Sequence, residues 1–169
     1  MVGSMTTPSN IKKIIDDVIE AEGGAKVTNH PNDPGGRTQY GISERANPEA
    51  WADGKVTNEE AREIYERKYL RGPGFDKITH ARLQAQLTDM GVLSGPGVAI
   101  QKLQQILKVK VDGALGPKTL AAIEASDPVW LNNQLVASRI TMIGRLVQQR
   151  PVQLMYLSGW LSRALSFMI

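Results

Sequence analysis

Residues 22–42 read EGGAKVTNHPNDPGGRTQYGI, and this stretch decides how the rest of the chain is read. Pro31, Asn32, Asp33, Pro34, Gly35 and Gly36 crowd turn-forming residues into six consecutive positions. Short extended pieces flank that cluster, around Lys26–Thr28 and Arg37–Ile42, so the stretch predicts a small irregular β-hairpin or loop lobe, not a full sheet. Immediately upstream, Ile11, Ile14, Ile15, Val18 and Ile19 recur at helical spacing, with Ser9 or Asn10 placed to cap the helix and Gly23-Gly24 placed to stop it. Glu22 therefore stands at the junction between an apolar-faced helix and the small lobe.

Downstream the pattern is helical. Thr57 with Glu60 three residues on is a capping box, opening a helix that runs to Gly72-Pro73-Gly74. Further helices are expected over 79–90, 98–107, 117–125 and 127–149, with a last one starting at Pro151. Neither an internal repeat nor a low-complexity segment is present. The expected fold class is α+β, mostly α, with a cleft between the small lobe and the helical body suited to an extended substrate.

Composition excludes several chemistries. The 169 residues contain no cysteine, so disulfide frameworks and thiolate metal sites are ruled out. Two histidines, His30 and His80, are too few for a His-rich zinc site, which makes zinc amidases and endopeptidases poor candidates; no metal or cofactor is implied. No apolar run approaches the ~18 residues of a membrane span, and no basic-then-apolar start suggests a signal peptide, so a cytoplasmic protein that does not export itself is expected. Met1–Ser4 precede a second methionine and read as an expression scar. Lys plus Arg is 20 against 17 for Asp plus Glu. Asp127 is the last acidic residue, while Arg139, Arg145, Arg150 and Arg163 follow it. This basic C-terminal third suits contact with an anionic cell envelope or is an ordinary solvated helical surface. No nucleic-acid motif stands out, and a monomer is the default.

Glycoside hydrolysis generally needs a carboxylic acid that protonates the leaving oxygen and a second carboxylate or a positioned water that attacks or stabilises the sugar cation. Such an acid keeps its proton best in apolar surroundings. Glu22 fits by position, and the two glycines after it let a sugar approach the backbone; on those residues alone it also reads as an exposed helix end. Asp33, eleven residues on, is the candidate second carboxylate, although Asp before Pro-Gly is ordinary turn chemistry. Thr38 offers a hydroxyl to hold a water, or is simply a strand residue.

Taken in order, Glu22-Gly23-Gly24, Asn32-Asp33-Pro34-Gly35-Gly36, Thr38 and Tyr40-Gly41-Ile42 resemble the start of glycoside hydrolase family 108, the N-acetylmuramidases of phages and bacteria. The second half resembles the family's C-terminal peptidoglycan-binding region in Asp89 to Gly95, Leu103-Gln104, Asp112-Gly113, Gly116-Pro117, Thr119-Leu120, Arg139 and Gly159-Trp160-Leu161 with Arg163. The resemblance covers residues 9–165 and implies a lysozyme-like fold, with residues 5–92 as the catalytic region and 93–169 as a peptidoglycan-binding-like helical region packed with it. It also implies Glu22 as catalytic acid, with Asp33 and Thr38 as the second carboxylate and the water-positioning hydroxyl. The sequence departs from the family pattern at Ala25-Lys26, at Tyr69-Leu70 and at Leu93, where an aromatic residue, Tyr-Trp and an asparagine are usual.

The function implied is hydrolysis of the β-1,4 bond from N-acetylmuramic acid to N-acetylglucosamine in bacterial peptidoglycan. Such an enzyme would be a phage endolysin that waits in the host cytoplasm until the membrane is permeabilised. The alternatives are a lytic transglycosylase and a non-catalytic peptidoglycan-binding protein. Tyr40, Gly36 and Arg139 are the candidate substrate-binding residues: Tyr40 for stacking on a sugar, Arg139 for reaching Glu22 across the cleft or pairing elsewhere on the surface. Trp130 and Trp160 are expected in the core. The segment from Pro151 to Ile169, whose only charge is Arg163, reads either as a membrane-active helix or, preferably, as a buried final helix.

Overall fold

A computed structural model describes residues 7–29 and 35–169 of the chain. The expected scar at Met1–Ser4 and the residues from His30 to Pro34, Asp33 among them, lie outside the described residues.

Helix α1 spans Pro8–Ala21 and is capped by the Thr7 side chain, one turn earlier than Ser9 or Asn10 would place it, because Pro8 suits the first helical position. Its five expected apolar residues are all buried. The helix ends in a Schellman arrangement: the Gly24 amide donates to the Ile19 carbonyl at 3.1 Å and the Gly23 amide to Glu20 at 3.1 Å. Both glycines have positive φ, 98° and 60°, so the last turn is locked with Glu22 as its final half-helical residue.

The small lobe is a hairpin of β1 (Thr38–Gln39) and β2 (Ile42–Ser43), antiparallel with Gln39 opposite Ile42. Thr28 bridges Thr38 through two 2.8 Å backbone bonds. The two-residue turn is Tyr40-Gly41, with φ of 53° and 75°, the conformation that matches strand twist in tight hairpins. A tyrosine rarely adopts positive φ. Here it is clamped: its amide donates to the Gly24 carbonyl and its carbonyl accepts from the Tyr65 hydroxyl, both at 2.9 Å.

Helix α2 (Asn58–Tyr65) begins with the expected capping box, Thr57 and Glu60 bonding each other reciprocally. At Glu66 it widens into a π-helical segment, Glu66–Arg71, that ends at Gly72. The body then consists of α3 (Ala81–Ser94), α4 (Pro96–Leu107), α5 (Pro117–Glu124), α6 (Pro128–Gln149) and α7 (Leu157–Leu165). One cluster of buried residues runs from Ile15 in α1 through Leu87 and Leu103 to Leu135 in α6, so both halves of the chain share a core. The architecture is the mostly helical, lysozyme-like one.

Three expectations about the C-terminal part are corrected. Trp130 is 47% exposed: in the first turn of α6 it is the next residue, Leu131, that is fully buried in the core, and Trp130 lies on the outer side. Trp160 is half-buried and stacks obliquely on Tyr156 at 5.6 Å. The final segment does not bury as one helix: Pro151–Tyr156 forms a 3-10 turn with Val152, Leu154 and Met155 exposed, and within α7 only Ala164 is fully buried. No described helix is long and apolar enough to cross a membrane.

Candidate active site

Glu22 is held from three sides. The Schellman turn fixes its backbone. The hairpin turn lies against its stem: a Cβ added to Gly41 would stand 2.7 Å from the Glu22 Cβ and would collide with the Tyr65 hydroxyl, so only glycine lets the turn approach this closely. Its carboxyl Oε1 accepts a hydrogen bond from Arg163 Nη1 at 2.8 Å.

Arg163 belongs to α7 and reaches back across 141 positions of sequence. Its Nε donates to Asp89 Oδ1 at 2.8 Å, so one guanidinium joins two carboxylates. Asp89, on α3 and 4% exposed, is held on its other oxygen by Arg139 of α6. The order is Arg139, Asp89, Arg163, Glu22: two cations and two anions, alternating. Burial pulls the Arg139 guanidinium below its usual range, against the opposing pull of Asp89. Burial lowers Arg163 too, but Asp89 and Glu22 more than offset it and raise it overall. Both guanidiniums stay charged at any working pH.

Glu22 opens onto a cavity of about 180 Å³, shared with Gly41, Ser43, Asn47, Tyr65, Lys68 and Tyr69 among others. Tyr65 and Tyr69 lie on one face with their rings 5.8 Å apart. Burial, and after it the charge of Glu22, pushes the Tyr65 phenol well above its usual range, so it remains a neutral donor to the Tyr40 carbonyl. Lys68 Nζ donates to the Oδ1 of buried Asn47 at 2.5 Å. The cavity is therefore polar, walled by hydroxyl and amide groups, and contains Glu22 as its one carboxylate among the described residues. Larger hollows exist, one of about 820 Å³ along α1 lined by Ile11, Ile15 and Ile78 among others, but neither Glu22 nor Thr38 lines it. The described residues contain no cluster of three or more potential metal ligands.

The sequence-predicted residues are placed unevenly. Glu22 lines the cavity. Thr38 is in β1, paired to Thr28 and Ser43, and does not line the cavity. Tyr40 sits in the turn above Glu22, half-buried and packed on the core. Gly36, at φ 72°, faces the carboxylate of Glu44, which pairs with Arg37. Arg139 is 2% exposed and bonds Asp89; the arginine at Glu22 is Arg163. Sequence reasoning missed Asn47, Tyr65, Lys68, Tyr69, and the roles of Asp89 and Arg163. One signal was available: Asp89 and Arg163 are each the sole charge in a long stretch, 83–101 and 151–169, and a charge that folds into a core must find a partner.

Comparison with known proteins bears on this geometry. The model of glycosyl hydrolase 108 matches residues 15–95, which contain Glu22, the hairpin and the π-helical wall. A predicted peptidoglycan domain matches residues 98–165, which supply Arg139 and Arg163. SagA of Brucella abortus, a solved structure, is 30% identical, aligned over 95% of this chain and 97% of its own, with a TM-score of 0.70. The chain belongs to the glycosyl hydrolase 108 family. No curated protein matches it. As a glycosyl hydrolase 108 member it is a glycoside hydrolase of the lysozyme, N-acetylmuramidase kind, and peptidoglycan is its substrate. In this glycosyl hydrolase 108 member the candidate carboxylate, Glu22, lies in the hydrolase region, and the arginine that pairs with it, Arg163, lies in the peptidoglycan region.

Proposed function

We propose that this muramidase cuts the β-1,4 bond between N-acetylmuramic acid and N-acetylglucosamine with Glu22 as the proton donor, and that it serves as a phage endolysin. The observation that supports the first part is the placement of Glu22: fixed at a locked helix end, backed by the Gly41 turn, and lining a cavity in which it is the one carboxylate among the described residues. In this reading Glu22 gives its proton to the glycosidic oxygen, the bond from that oxygen to the muramic-acid C1 breaks, and water adds to C1 as its released proton returns, directly or through the second carboxylate, to Glu22. Asp33, next to the hairpin in sequence, stabilises the sugar cation or activates the water, and Thr38 orients it. Arg163 holds the Glu22 carboxyl in place between turnovers.

The endolysin role rests on the pairing of a glycan-cutting region with a peptidoglycan region in one short chain. On this reading the enzyme resides in the host cytoplasm and reaches the wall once the membrane is breached. Two measurements test the proposal. Digested peptidoglycan should release reducing muramic-acid ends, seen by mass spectrometry; 1,6-anhydro ends, one water lighter, would assign a lytic transglycosylase instead. Cells expressing the protein should lyse when a membrane pore is supplied and stay intact without it. Lysis independent of the pore would overturn the cytoplasmic residence.

A further inference from the structure

Beside the Glu22 cavity runs a second hollow of about 460 Å³. Lys68 lines both, so the second begins where the first ends. Its walls come from both family regions: Gly72-Pro73-Gly74 on the hydrolase side, and Gly97 with Gly113 to Leu115 on the peptidoglycan side. Among the described residues three cations line it, Lys68, Arg71 and Lys77, and no carboxylate does. Arg71 is neutralised by Glu66 at 2.6 Å and Asp76 at 3.8 Å. Lys68 and Lys77 make no ion pair with a carboxylate among the described residues, so the groove carries net positive charge.

Several features show a built groove. The Lys77 stem lies across Gly74, where an added Cβ would stand 3.8 Å from its Cδ. Lys68 is anchored through Asn47 and projects from the π-helical segment, a widened turn of a kind concentrated at functional sites. On the far wall the Asp112-Gly113 turn is tied down by fully buried Gln104, whose Oε1 accepts from the amides of Asp112 and Gly113 at 3.0 and 2.9 Å and whose Nε2 donates to Asp112 Oδ1 at 2.8 Å. Gly97 faces open space.

We propose that this groove binds the carboxylates of the peptide stem carried by the muramic acid, with Lys68 and Lys77 as the recognising cations. The inference rests on the muramidase reading and extends its substrate: the glycan lies at Glu22, and the acidic peptide branching from it follows Lys68 into the groove. A lysine ammonium is a compact point charge with three donors, so Lys68 keeps donors free beside its bond to Asn47, and the exposed Lys77 can follow a flexible peptide.

The test measures kcat/KM of the full-length enzyme on stem-bearing glycan strands and on the same strands stripped of peptide by an amidase. Wild type should favour the stem-bearing strands. In Lys68→Met/Lys77→Met that preference ratio should fall by about tenfold, the size of one to two charge-assisted hydrogen bonds. Lys77→Glu, at an exposed position, should lower the same ratio without disturbing folding. A wild type indifferent to the stem, or a ratio that survives both variants, overturns the proposal. Turnover of stripped strands by wild type upholds the muramidase reading in either case, whereas folded enzyme inactive on both substrates removes that reading first.

Discussion

Arg163 donates to two carboxylates from different elements, which ties the proposed acid Glu22 and the buried Asp89 to one side chain. Arg163→Ala leaves Asp89 with Arg139 alone and Glu22 with no cation, and should cost about 3 kcal/mol of stability, the order seen when a buried ion pair loses one partner. Arg163→Lys keeps a charge but not the planar fork that spans both oxygens. It should therefore recover melting temperature better than turnover; equal recovery of both would reduce Arg163 to a purely structural residue. Gly41→Ala forces a methyl into the Glu22 stem and the Tyr65 hydroxyl at a positive φ. Turnover measured well below the melting temperature should drop at least tenfold, since a displacement near 1 Å at the acid costs about that or more; undiminished turnover would show that the hairpin does not position the acid. At this scale the glycines and the turn cluster beside Glu22 were enough to place it at the junction of helix and small lobe, where the structure has it. It did not reveal Arg163 as the partner, because pairing across 141 positions is set by how α7 lies on the body, not by local pattern.

Among the elements, those with strong local signals were legible: the apolar stripe of α1, the Thr57 capping box and the proline starts of α5 and α6. The π-helical segment after α2 was not, because a widened turn has the same composition as an α-helix; Leu70 within it is fully buried. The last segment was misjudged for a related reason: apolar composition predicts burial, yet Val152, Leu154 and Met155 sit on a 3-10 turn with little helix surface to cover them. The Asp112-Gly113 turn carries a pH prediction. The hydrogen bond from Gln104, and after it the Ala114 amide, hold the Asp112 carboxyl below its usual range. A depressed folded value means the contribution is fully present above the unfolded Asp value of about 4 and is lost as pH falls through the folded one. Melting temperature followed from about pH 5 to about pH 2 should fall less steeply in Asp112→Asn than in wild type. Parallel curves would show that the turn does not contribute.

For the molecule as a whole, one core joins the region matched to glycosyl hydrolase 108 with the region matched to the peptidoglycan domain. The candidate site lies across that join, with Glu22 in the first region and its partner Arg163 in the second. The mostly helical class and the small lobe followed from periodicity and turn chemistry, while the shared core required the long-range packing of α3 on α4 and α6. The central claim is that Glu22 is the proton donor, and the most direct test is the turnover of purified peptidoglycan by Glu22→Gln beside wild type, with folding checked by melting temperature. The substitution keeps the shape and removes the proton-donating carboxyl, so a folded variant should lose about 10²–10⁴-fold in kcat, the usual contribution of a positioned general acid. A folded Glu22→Gln that clears peptidoglycan as fast as wild type would contradict the account.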